Sequence, residues 1–452
     1  MLMHMHLSEV ARRIGAEYSG QDVSFAAVSS DSRSIGRGEL FVALHGPSFD
    51  AHDFISSAVE RGACAAMIDR PVDVGLPTLN VRDTHDGLGE LAAAWRNCFD
   101  VPVLAITGSN GKTTVKEMIG TILSGRGEVL VTRGNLNNDI GLPLTLLRLQ
   151  DQHRFAVLEM GANHAGEIAY LTKRARPDIA LITNAGAAHL EGFGSLQGVV
   201  QAKGEIIEGL APDGVVVLNA EDAGLSYWRQ CAGNHRVITF GLNVTADVSA
   251  ASQSGSVTIS GSGGESATLK LALPGRHSLM NALAAIAACR ECGVSLKESC
   301  VALEKMQPVG GRLHLRETNS GLRVLDDTYN ANPSSLQVAL DVLVGLPGEH
   351  ALVLGDMAEL GEDAMAAHEQ AGKAARAAGV LRLYAVGDGA SAAANAFGDA
   401  GFAYTSREAL VKDVLRQESG VVLVKGSRMM HLEEVVEALI SGKAARANGG
   451  GC

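Results

Sequence analysis

A glycine loop followed by lysine and threonine is the segment of this sequence with the clearest chemistry. Residues 101–106 form an apolar run typical of a buried strand, and T-G-S-N-G-K-T-T at 107–114 leads into a helical pattern. In such a unit the loop N–H groups and the helix N-terminus face an anion, and the lysine adds a point charge. The segment therefore predicts a nucleoside triphosphate site around Lys112.

The loop departs from the general phosphate-loop pattern at one position. A glycine usually stands five residues before the glycine that precedes the lysine, and Ile106 occupies that place here. A glycine turn with a surface lysine is the alternative interpretation. The strand before the loop and the helical pattern after it are the context that a phosphate loop requires, and they favour nucleotide binding.

Composition and charge exclude several classes of protein. A chain of 452 residues with 46% hydrophobic and 19% charged residues predicts about three globular domains. The net charge of −12, without a Lys/Arg block, argues against a nucleic-acid partner. The sequence shows neither a signal peptide nor a membrane-spanning apolar run, and its seven cysteines are scattered. We therefore expect a cytoplasmic protein without membrane insertion.

Short apolar runs alternate with helical patterns along most of the chain. Residues 1–98 mix short strands and helices, and residues 97–102 resemble a linker. From residue 103 onward the apolar runs end in polar residues, which predicts a mostly parallel sheet with helices on both faces. Ligands on such sheets bind beyond the carboxyl ends of the strands, where Thr107, Glu159 and Asn184 are expected.

The segment 243–268 is rich in Ser, Gly and Thr and allows two interpretations. It could be a flexible linker, but the alternation at 257–259 and 267–271 favours antiparallel strands. A second boundary is expected near 307–312. Beyond it, three apolar runs each end in a glycine-bearing turn, which predicts a second doubly wound α/β unit. These runs occupy residues 351–354, 383–386 and 421–424.

Candidate metal ligands follow the glycine loop and a later strand. Thr113 offers a hydroxyl directly after Lys112, and Glu159 offers a carboxylate at the end of a strand. Magnesium takes one or two carboxylates with hydroxyl and phosphate oxygens, and phosphoryl transfer needs such a metal. A helix cap or surface acid is the alternative for Glu159. His189 follows a loop of small residues, and Lys203 begins the run K-G-E-I-I. Spacing alone does not show whether the role of either residue is functional or structural.

Ten motifs occur in a fixed order and together resemble the Mur ligases. The resemblance extends from Ser30 to Arg428, and the shortened glycine loop is the form that this family uses. The motifs are T-G-S-N-G-K-T-T, G-N-L-N-N-D-I-G-L-P, L-E-M-G-A-N-H, A-H-L-E-G-F, A-K-G-E-I, L-P-G-R-H-S-L-M-N-A-L-A-A, G-R-L, D-D-T-Y-N-A-N-P, G-D-M-A-E-L-G and K-G-S-R.

The resemblance implies an α/β protein of three domains. They are a mixed α/β N-terminal UDP-sugar-binding domain, a central P-loop ATPase with a mostly parallel sheet, and a C-terminal Rossmann-like doubly wound domain. Our boundaries place them at 1–98, 99–309 and 310–452. The family forms amides in peptidoglycan synthesis: ATP phosphorylates a carboxylate, and an amine displaces phosphate from the acyl phosphate. The motif G-D-M-A-E-L-G favours the member that adds D-alanyl-D-alanine to UDP-N-acetylmuramoyl-tripeptide. We also expect a monomer.

The resemblance also implies roles for individual residues in ATP binding. Asn281 is expected at the adenine, and Arg312 and Asp327 at the γ-phosphate region and the ribose. The catalytic residues are expected to be Lys112, His189, Lys203 and Arg312. The ATP phosphates are expected at Gly108, Ser109, Asn110, Gly111, Lys112, Thr113 and Thr114.

The implied metal and substrate sites complete the expected set. Two magnesium ions are expected, the first on Thr113 and Glu159 and the second on His189, with carbamylated Lys203 as a further ligand. The substrate residues are expected to be Ser30, Asp31, Ser32 and Arg33 for the uridine nucleotide, Asn135 and Asn138 for the muramyl peptide, and Asn330, Asn332 and Asp356 for the dipeptide.

Three other functions agree less well with the sequence. The family member that adds diaminopimelate or lysine carries D-N-P-R, whereas Asn332-Pro333 is followed here by Ser334. Folylpolyglutamate synthases share the ATPase core but do not need the first domain. A GTP-dependent switch would carry the base-reading motif N-K-x-D, which the sequence lacks.

Overall fold

The computed structural model describes most of the chain as three successive units, each built around one large sheet. Among the described residues, no helix is both long and apolar enough to span a membrane. The described residues are 4–46, 48–73, 75–186, 190–242, 244–253, 256–271, 275–318, 321–417 and 419–442.

The first unit contains a five-stranded mixed sheet. The strands of the unit as a whole are β1 (Met5–His6), β2 (Glu17–Ser19), β3 (Ser24–Phe25), β4 (Ala27–Ser29), β5 (Glu39–Val42), β6 (His45–Gly46), β7 (Phe49–Asp50), β8 (Ala65–Ile68) and β9 (Thr78–Asn80). Its helices are α1 (Leu7–Ile14), α2 (Ile55–Arg61) and α3 (Thr84–Arg96), with a 3₁₀ turn at Ala51–Phe54. The order is β2-β9-β8-β5-β4, with only β2 antiparallel to its neighbour; β1 pairs with β3 and β6 with β7.

The second unit contains a nine-stranded sheet. Its strands are β10 (Val103–Thr107), β11 (Glu128–Val131), β12 (His153–Glu159), β13 (Ile179–Ile182), β14 (Val215–Asn219), β15 (Arg236–Leu242), β16 (Val248–Gln253), β17 (Ser256–Gly261) and β18 (Ser266–Leu269). Its helices are α4 (Lys112–Ser124), α5 (Gly141–Leu146), α6 (Glu167–Ala175), α7 (Leu190–Phe193), α8 (Leu196–Gly204), α9 (Leu225–Ala232), α10 (Arg276–Glu291) and α11 (Leu296–Glu304), with a 3₁₀ turn at Glu205–Gly209.

The order of this sheet is β11-β12-β10-β13-β14-β15-β16-β17-β18. The strands from β11 to β16 are parallel, and β17 and β18 are antiparallel additions. The mostly parallel sheet and the antiparallel strands in the Ser/Gly/Thr-rich segment are therefore confirmed. β10 begins directly after Pro102, which has no N–H to give to a parallel neighbour.

The third unit contains a six-stranded sheet. Its strands are β19 (His314–Glu317), β20 (Arg323–Asp327), β21 (His350–Gly355), β22 (Arg382–Val386), β23 (Gly401–Tyr404) and β24 (Val421–Lys425). Its helices are α12 (Pro333–Val344), α13 (Ala364–Ala377), α14 (Asp388–Phe397), α15 (Arg407–Val414) and α16 (Glu433–Ser441), with 3₁₀ turns at Gly361–Asp363 and Arg428–Met430. The order is β19-β20-β24-β21-β22-β23, parallel except for β19, as in a doubly wound fold.

Alternating side chains of the central strands feed two hydrophobic clusters. Val103 and Ala105 of β10 belong to one cluster, whereas Leu104 and Ile106 belong to the other, which includes α4, α10 and α11. The first cluster continues into the first unit, where Leu88 and other residues of α3 pack in the same core. Shared apolar packing therefore holds the first unit to the second.

A buried arginine fastens the chain where it passes from the first unit to the second. Arg96, the last residue of α3, is 9% exposed. Its guanidinium donates to the carbonyl oxygens of Phe99, Ala175 and Val101 at 2.7, 3.2 and 3.4 Å. A single planar cation therefore holds residues 97–102 against the end of α6.

We expect Arg96→Leu to destabilise this junction. The leucine would leave three carbonyls without their donor, at a cost of about 2–4 kcal/mol, because removing one partner of a buried charged network is strongly destabilising. Urea unfolding should show an earlier transition. Arg12→Leu, at an exposed position of α1, is the matched control and should unfold like the unchanged protein. Equal midpoints for both variants would contradict the role of Arg96.

Candidate active site

A cavity of about 1020 Å³ lies at the carboxyl ends of the central strands, where ligands bind on parallel sheets. The second unit contributes Lys112, Glu159 and Asn281 to its lining, and the third unit contributes Arg312 and Lys425. The predicted glycine loop, carboxylate and C-terminal residues therefore meet in one place.

Two glycines give the phosphate loop its shape. Gly108 and Gly111 have φ angles of 146° and 84°, which side chains rarely allow. A Cβ at Gly108 would collide with Thr183 Oγ1, and one at Gly111 would collide with Asn281 Oδ1. The loop thus approaches the neighbouring strand and α10 closely, and Asn281 lies beside the loop residue that precedes Lys112.

Hydrogen bonds from the segment after β13 hold the loop in place. Asn110 N donates to Asn184 Oδ1 at 3.0 Å, and Thr183 Oγ1 donates to Asn110 O at 2.6 Å. Ser109 Oγ donates to Gly186 O at 3.1 Å and accepts from Gly186 N at 2.9 Å. The loop is therefore preorganised by protein contacts alone.

Lys112 is the first residue of α4, and its ammonium turns back over the loop. Its Nζ donates to Gly108 O at 2.7 Å. The displacement of water around this ammonium lowers the pKa of Lys112; Glu159 opposes the shift and Arg312 adds to it. An arriving phosphate would supply the counter-charge that this position lacks.

A buried carboxylate lies next to the loop threonine. Glu159 is 2% exposed, and its Oε2 accepts from Thr113 Oγ1 at 2.8 Å. Its Oε1 accepts from Asn137 Nδ2 at 2.8 Å. Two ligands at about 2.0–2.1 Å on adjacent vertices of an octahedron are about 2.8–3.0 Å apart, so this hydroxyl–carboxylate pair fits the donor set of magnesium.

The third unit reaches the loop through Arg312. Its Nη2 donates to Thr113 Oγ1 at 2.8 Å, and its guanidinium lies 3.9 Å from the centroid of the Tyr329 ring. Asn332 and Ser334, at the start of α12, hydrogen-bond the side chain of Asn110 at 3.3 and 2.9 Å. The third unit is therefore closed over the phosphate loop.

A buried ion pair lies on the wall of the cavity that the third unit provides. Lys425 is 1% exposed, and its Nζ is 2.5 Å from Asp327 Oδ2 and 2.9 Å from Asn330 O. Asp327 ends β20 and Lys425 ends β24, and these strands are neighbours. The sheet register thus places the pair at the edge that faces the loop.

Lys203 is buried but does not line the cavity. It lies near the C-terminal end of α8 with 1% exposure, and its Nζ is 5.1 Å from the centroid of the Phe193 ring. Burial, with the positive charge of Lys112, lowers the pKa of Lys203 to about 7. His189, the other residue predicted to bind the second magnesium ion, lies outside the described residues.

The structure places the predicted substrate residues in three regions: the cavity, the N-terminal end of α14 and the segment after β4. Asn135, Asn138, Asn330 and Asn332 line the cavity. Asp356 does not: its Oδ1 accepts from Ala390 N at 2.7 Å, at the N-terminal end of α14, a contact that helix caps commonly make.

The segment Ser30 to Arg33 also lies away from this cavity, directly after β4 in the first unit. Asp31 accepts from Arg33 Nε at 2.9 Å and from Arg33 Nη2 at 3.0 Å. These hydrogen bonds lower the pKa of Asp31 to about 2. The segment lies at the carboxyl edge of the first sheet, where Arg33 is exposed and Ser30, Asp31 and Ser32 are half-buried.

Sequence reasoning assigned no role to Asn137, Lys116 or Lys425. Asn137 stands between the two asparagines that were singled out, and it binds Glu159. Lys116 lies one helical turn after Lys112, and its Nζ is 4.0 Å from Glu159 Oε2. The helical spacing could have indicated Lys116, whereas the partner of Lys425 depends on strand order, which spacing does not show.

Comparison with known proteins identifies the family. Models described as "Mur ligase family, catalytic domain", "Mur ligase middle domain" and "Mur ligase, glutamate ligase domain" match residues 24–96, 106–289 and 311–428. The UDP-N-acetylmuramoyl-tripeptide--D-alanyl-D-alanine ligase of Escherichia coli strain K12 is 43% identical over 448 residues, covering 97% of this chain and 99% of that protein. The chain belongs to the Mur ligase family.

Solved structures show the same architecture. A crystal structure of MurF from Acinetobacter baumannii matches with a TM-score of 0.92 at 35% identity, over 97% of this chain and 99% of that one. MurF ligase from Thermotoga maritima in complex with ADP matches with a TM-score of 0.82 at 30% identity, over 91% and 96% of the two chains. These likenesses confirm the three-domain α/β fold expected from the sequence.

We expect Glu159→Gln to weaken binding of the metal–nucleotide complex. Glutamine keeps the size of the side chain but removes the anionic oxygen next to Thr113. Calorimetric titration of ATP at increasing magnesium should show at least about a tenfold loss of affinity, equivalent to about 1.4 kcal/mol. Glu128→Gln, at the exposed start of β11, is the control and should titrate normally. An unchanged magnesium dependence in Glu159→Gln would argue against the metal site.

Proposed function

We propose that this chain is an ATP-dependent ligase that joins D-alanyl-D-alanine to UDP-N-acetylmuramoyl-tripeptide in peptidoglycan synthesis. The observation that carries the proposal is the cavity in which the phosphate loop and Glu159 of the second unit meet Arg312 and Lys425 of the third. Relatives named for this reaction, aligned over nearly the whole chain, support the choice of substrates. The products are UDP-N-acetylmuramoyl-pentapeptide, ADP and phosphate.

The first step transfers the γ-phosphoryl group of ATP to the terminal carboxylate of the tripeptide. A carboxylate is a poor electrophile until one oxygen becomes a leaving group. Lys112 and the N–H groups of residues 108–114 bind the phosphates, with Asn281 beside the loop and Asp327 on the facing wall. Arg312 adds a positive charge where negative charge develops, which is the main contribution that a protein makes to phosphoryl transfer.

Magnesium, when bound, would neutralise phosphate charge and polarise the γ-phosphoryl group. Thr113 and Glu159 would hold the first ion, and His189 and Lys203 a second. The closed third unit excludes water from the acyl phosphate. In the second step the dipeptide amine attacks the acyl carbon, the C–N bond forms, and phosphate leaves with the electrons of the C–O bond while the amine loses its proton.

Lys203 has the environment that carbamylation needs. Carbon dioxide reacts with a neutral amine, and burial lowers the pKa of Lys203 to about 7, so an appreciable share of the amine is neutral near neutral pH. The resulting carbamate is an anion that magnesium accepts as a ligand. The match of A-K-G-E-I to the family supports this modification.

The remaining assignments concern the substrates and the domains. We propose domains at 1–98, 99–309 and 310–452, with Ser30, Asp31, Ser32 and Arg33 at the uridine nucleotide. Asn135 and Asn138 would contact the muramyl peptide, and Asn330 and Asn332 the dipeptide. Asp356 is the weakest assignment, since its carboxylate already serves α14. We further propose that the protein is a monomer and acts in the cytoplasm, where ATP is made.

Phosphate release tests the reaction directly. We expect release only when ATP, UDP-N-acetylmuramoyl-tripeptide and D-alanyl-D-alanine are all present, because the acyl phosphate must form and then be attacked. D-alanine alone should be a poor amine. Hydrolysis of ATP without either substrate would indicate a nucleotide switch instead. Turnover of the dipeptide precursor with diaminopimelate would assign the chain to the ligase that adds the third residue.

Lys203→Ala should abolish ligase activity, because it removes the anion that the carbamate provides. A small carboxylate such as acetate at high concentration should restore part of the turnover, since it can occupy the space of the missing side chain. Lys173→Ala, which removes an exposed lysine paired with Glu208, is the control and should behave like the unchanged enzyme. Full activity of Lys203→Ala without added carboxylate would contradict the carbamate hypothesis.

A further inference from the structure

An imidazole of the first unit lies against a carboxylate of the second, close to the cavity. His85 Nδ1 is 3.4 Å from Asp139 Oδ2, and His85 Nε2 is 3.0 Å from the carbonyl oxygen of His45. Both neighbours accept hydrogen bonds, and a neutral imidazole has only one N–H to donate. The ring satisfies both neighbours only as the doubly protonated cation.

The helix that carries His85 has a fixed position relative to the second unit. Arg174 of α6 reaches Asp86 and Glu90 of α3 at 3.3 and 3.4 Å and lies 3.4 Å over the Tyr170 ring. A side chain at Gly89 would collide with both Arg174 and Tyr170, so the two helices are in close contact. The backbone of His85 is therefore held close to the second unit by the packing of α3 against α6.

Asp139, in contrast, belongs to an exposed loop without regular structure, residues 132–138 and the turn that follows. The same loop carries Asn135 and Asn138, which line the cavity, and Asn137, which binds Glu159. Asn137 fastens the loop to the predicted metal site, and Asp139 fastens it to the first unit. In the proposed function the muramyl peptide contacts this loop at Asn135 and Asn138, on the wall of the cavity that holds the phosphate loop.

The groups around His85 favour its charged form. The positive end of the α3 dipole and partial burial disfavour a cation there. The hydrogen bond that His85 donates to Asp139 dominates, however, and raises the pKa of His85 from 6.5 to about 9, with the His45 carbonyl and Asp83 adding to the shift. The other titratable or charged groups nearby are His45 with its partner Asp69, Asp86, Tyr170 and Arg174.

We infer that His85 is a positioning residue: as an imidazolium it clamps the loop of Asn135, Asn137 and Asn138 between the first unit and the catalytic cavity. The clamp holds these amides where the UDP-linked peptide passes from one unit to the other. The inference rests on the proposed function, since it presumes that substrate. It gives His85 a role in binding the UDP-linked substrate and none in binding ATP.

The test compares substrate affinities in variants of this pair. His85→Gln and Asp139→Asn should each raise the Kd of UDP-N-acetylmuramoyl-tripeptide about fivefold, as expected for a partly exposed ion pair. The KM for ATP should stay within about twofold, because the phosphate loop is anchored separately. The double variant should lose no more than either single one, because both remove the same interaction. His6→Gln, which removes a surface histidine near Asp22, is the control.

A pH profile separates the clamp from a purely structural role. Since the pKa of His85 is raised, the bridge is complete below about pH 7 and is lost as the pH rises through about 9. The Kd of UDP-N-acetylmuramoyl-tripeptide, measured by calorimetry without ATP or dipeptide, should rise over this range in the unchanged protein. The rise should be absent in His85→Gln. His85→Arg, charged throughout, should retain tight binding and also lack the rise.

The outcomes distinguish the two proposals. If the unchanged protein shows no turnover with UDP-N-acetylmuramoyl-tripeptide and D-alanyl-D-alanine, the proposed function fails and the clamp fails with it. If turnover is normal but His85→Gln and Asp139→Asn bind the substrate as tightly as the unchanged protein, only the clamp is overturned. A pH-dependent rise that persists in His85→Gln would overturn it as well.

Discussion

The register of three parallel strands is the constraint on which the site depends. Ile106 of β10 pairs with Glu159 of β12 on one side, and Thr107 pairs with Ile182 of β13 on the other. Because parallel strands end at the same edge, the phosphate loop, the buried carboxylate and the Thr183–Asn184 anchor emerge together. A shift of one residue in either pairing would reverse the faces of the side chains and separate Thr113 from Glu159. The apolar alternation that fills both faces of the sheet therefore also determines the chemistry at its edge.

Charge at this edge is unbalanced in a way that suits a triphosphate. Lys112, Lys116 and Arg312 lie around the loop, and the described carboxylates near them are Glu159 and, beside Lys116, Glu117 at 3.0 Å. Uncompensated cations in a water-poor site are costly, and the lowered pKa of Lys112 is the expression of that cost. Phosphate oxygens would relieve it. The cost of holding these cations together thus returns as binding energy when phosphate oxygens bind between the loop and Arg312.

Local patterns predicted the elements well and long-range partners poorly. The strand before Lys112, the polar ends of the strands and the antiparallel strands near residue 260 follow from periodicity and turn residues, which act over a few positions. The ion pair of Asp327 with Lys425 depends on β20 and β24 being neighbours, and the contact of Arg312 with Thr113 depends on how the third unit closes. Neither is encoded by spacing. A motif can also suggest a substrate contact for a residue that has a partner within the protein. The motif around Asp356 indicated such a contact, whereas the structure places its carboxylate at the N-terminus of α14.

The three units differ in how firmly they are joined, and this difference follows from the chemistry of each interface. The first and second units share a hydrophobic cluster and the buried Arg96, interactions that change little with ligand. The third unit meets the phosphate loop through hydrogen bonds of Arg312, Asn332 and Ser334, which water or phosphate can replace. Movement needed to admit ATP and release ADP is therefore expected at the polar interface. The interface of the first and second units, by contrast, is suited to the proposed UDP-linked substrate, which would span these two units at a constant distance.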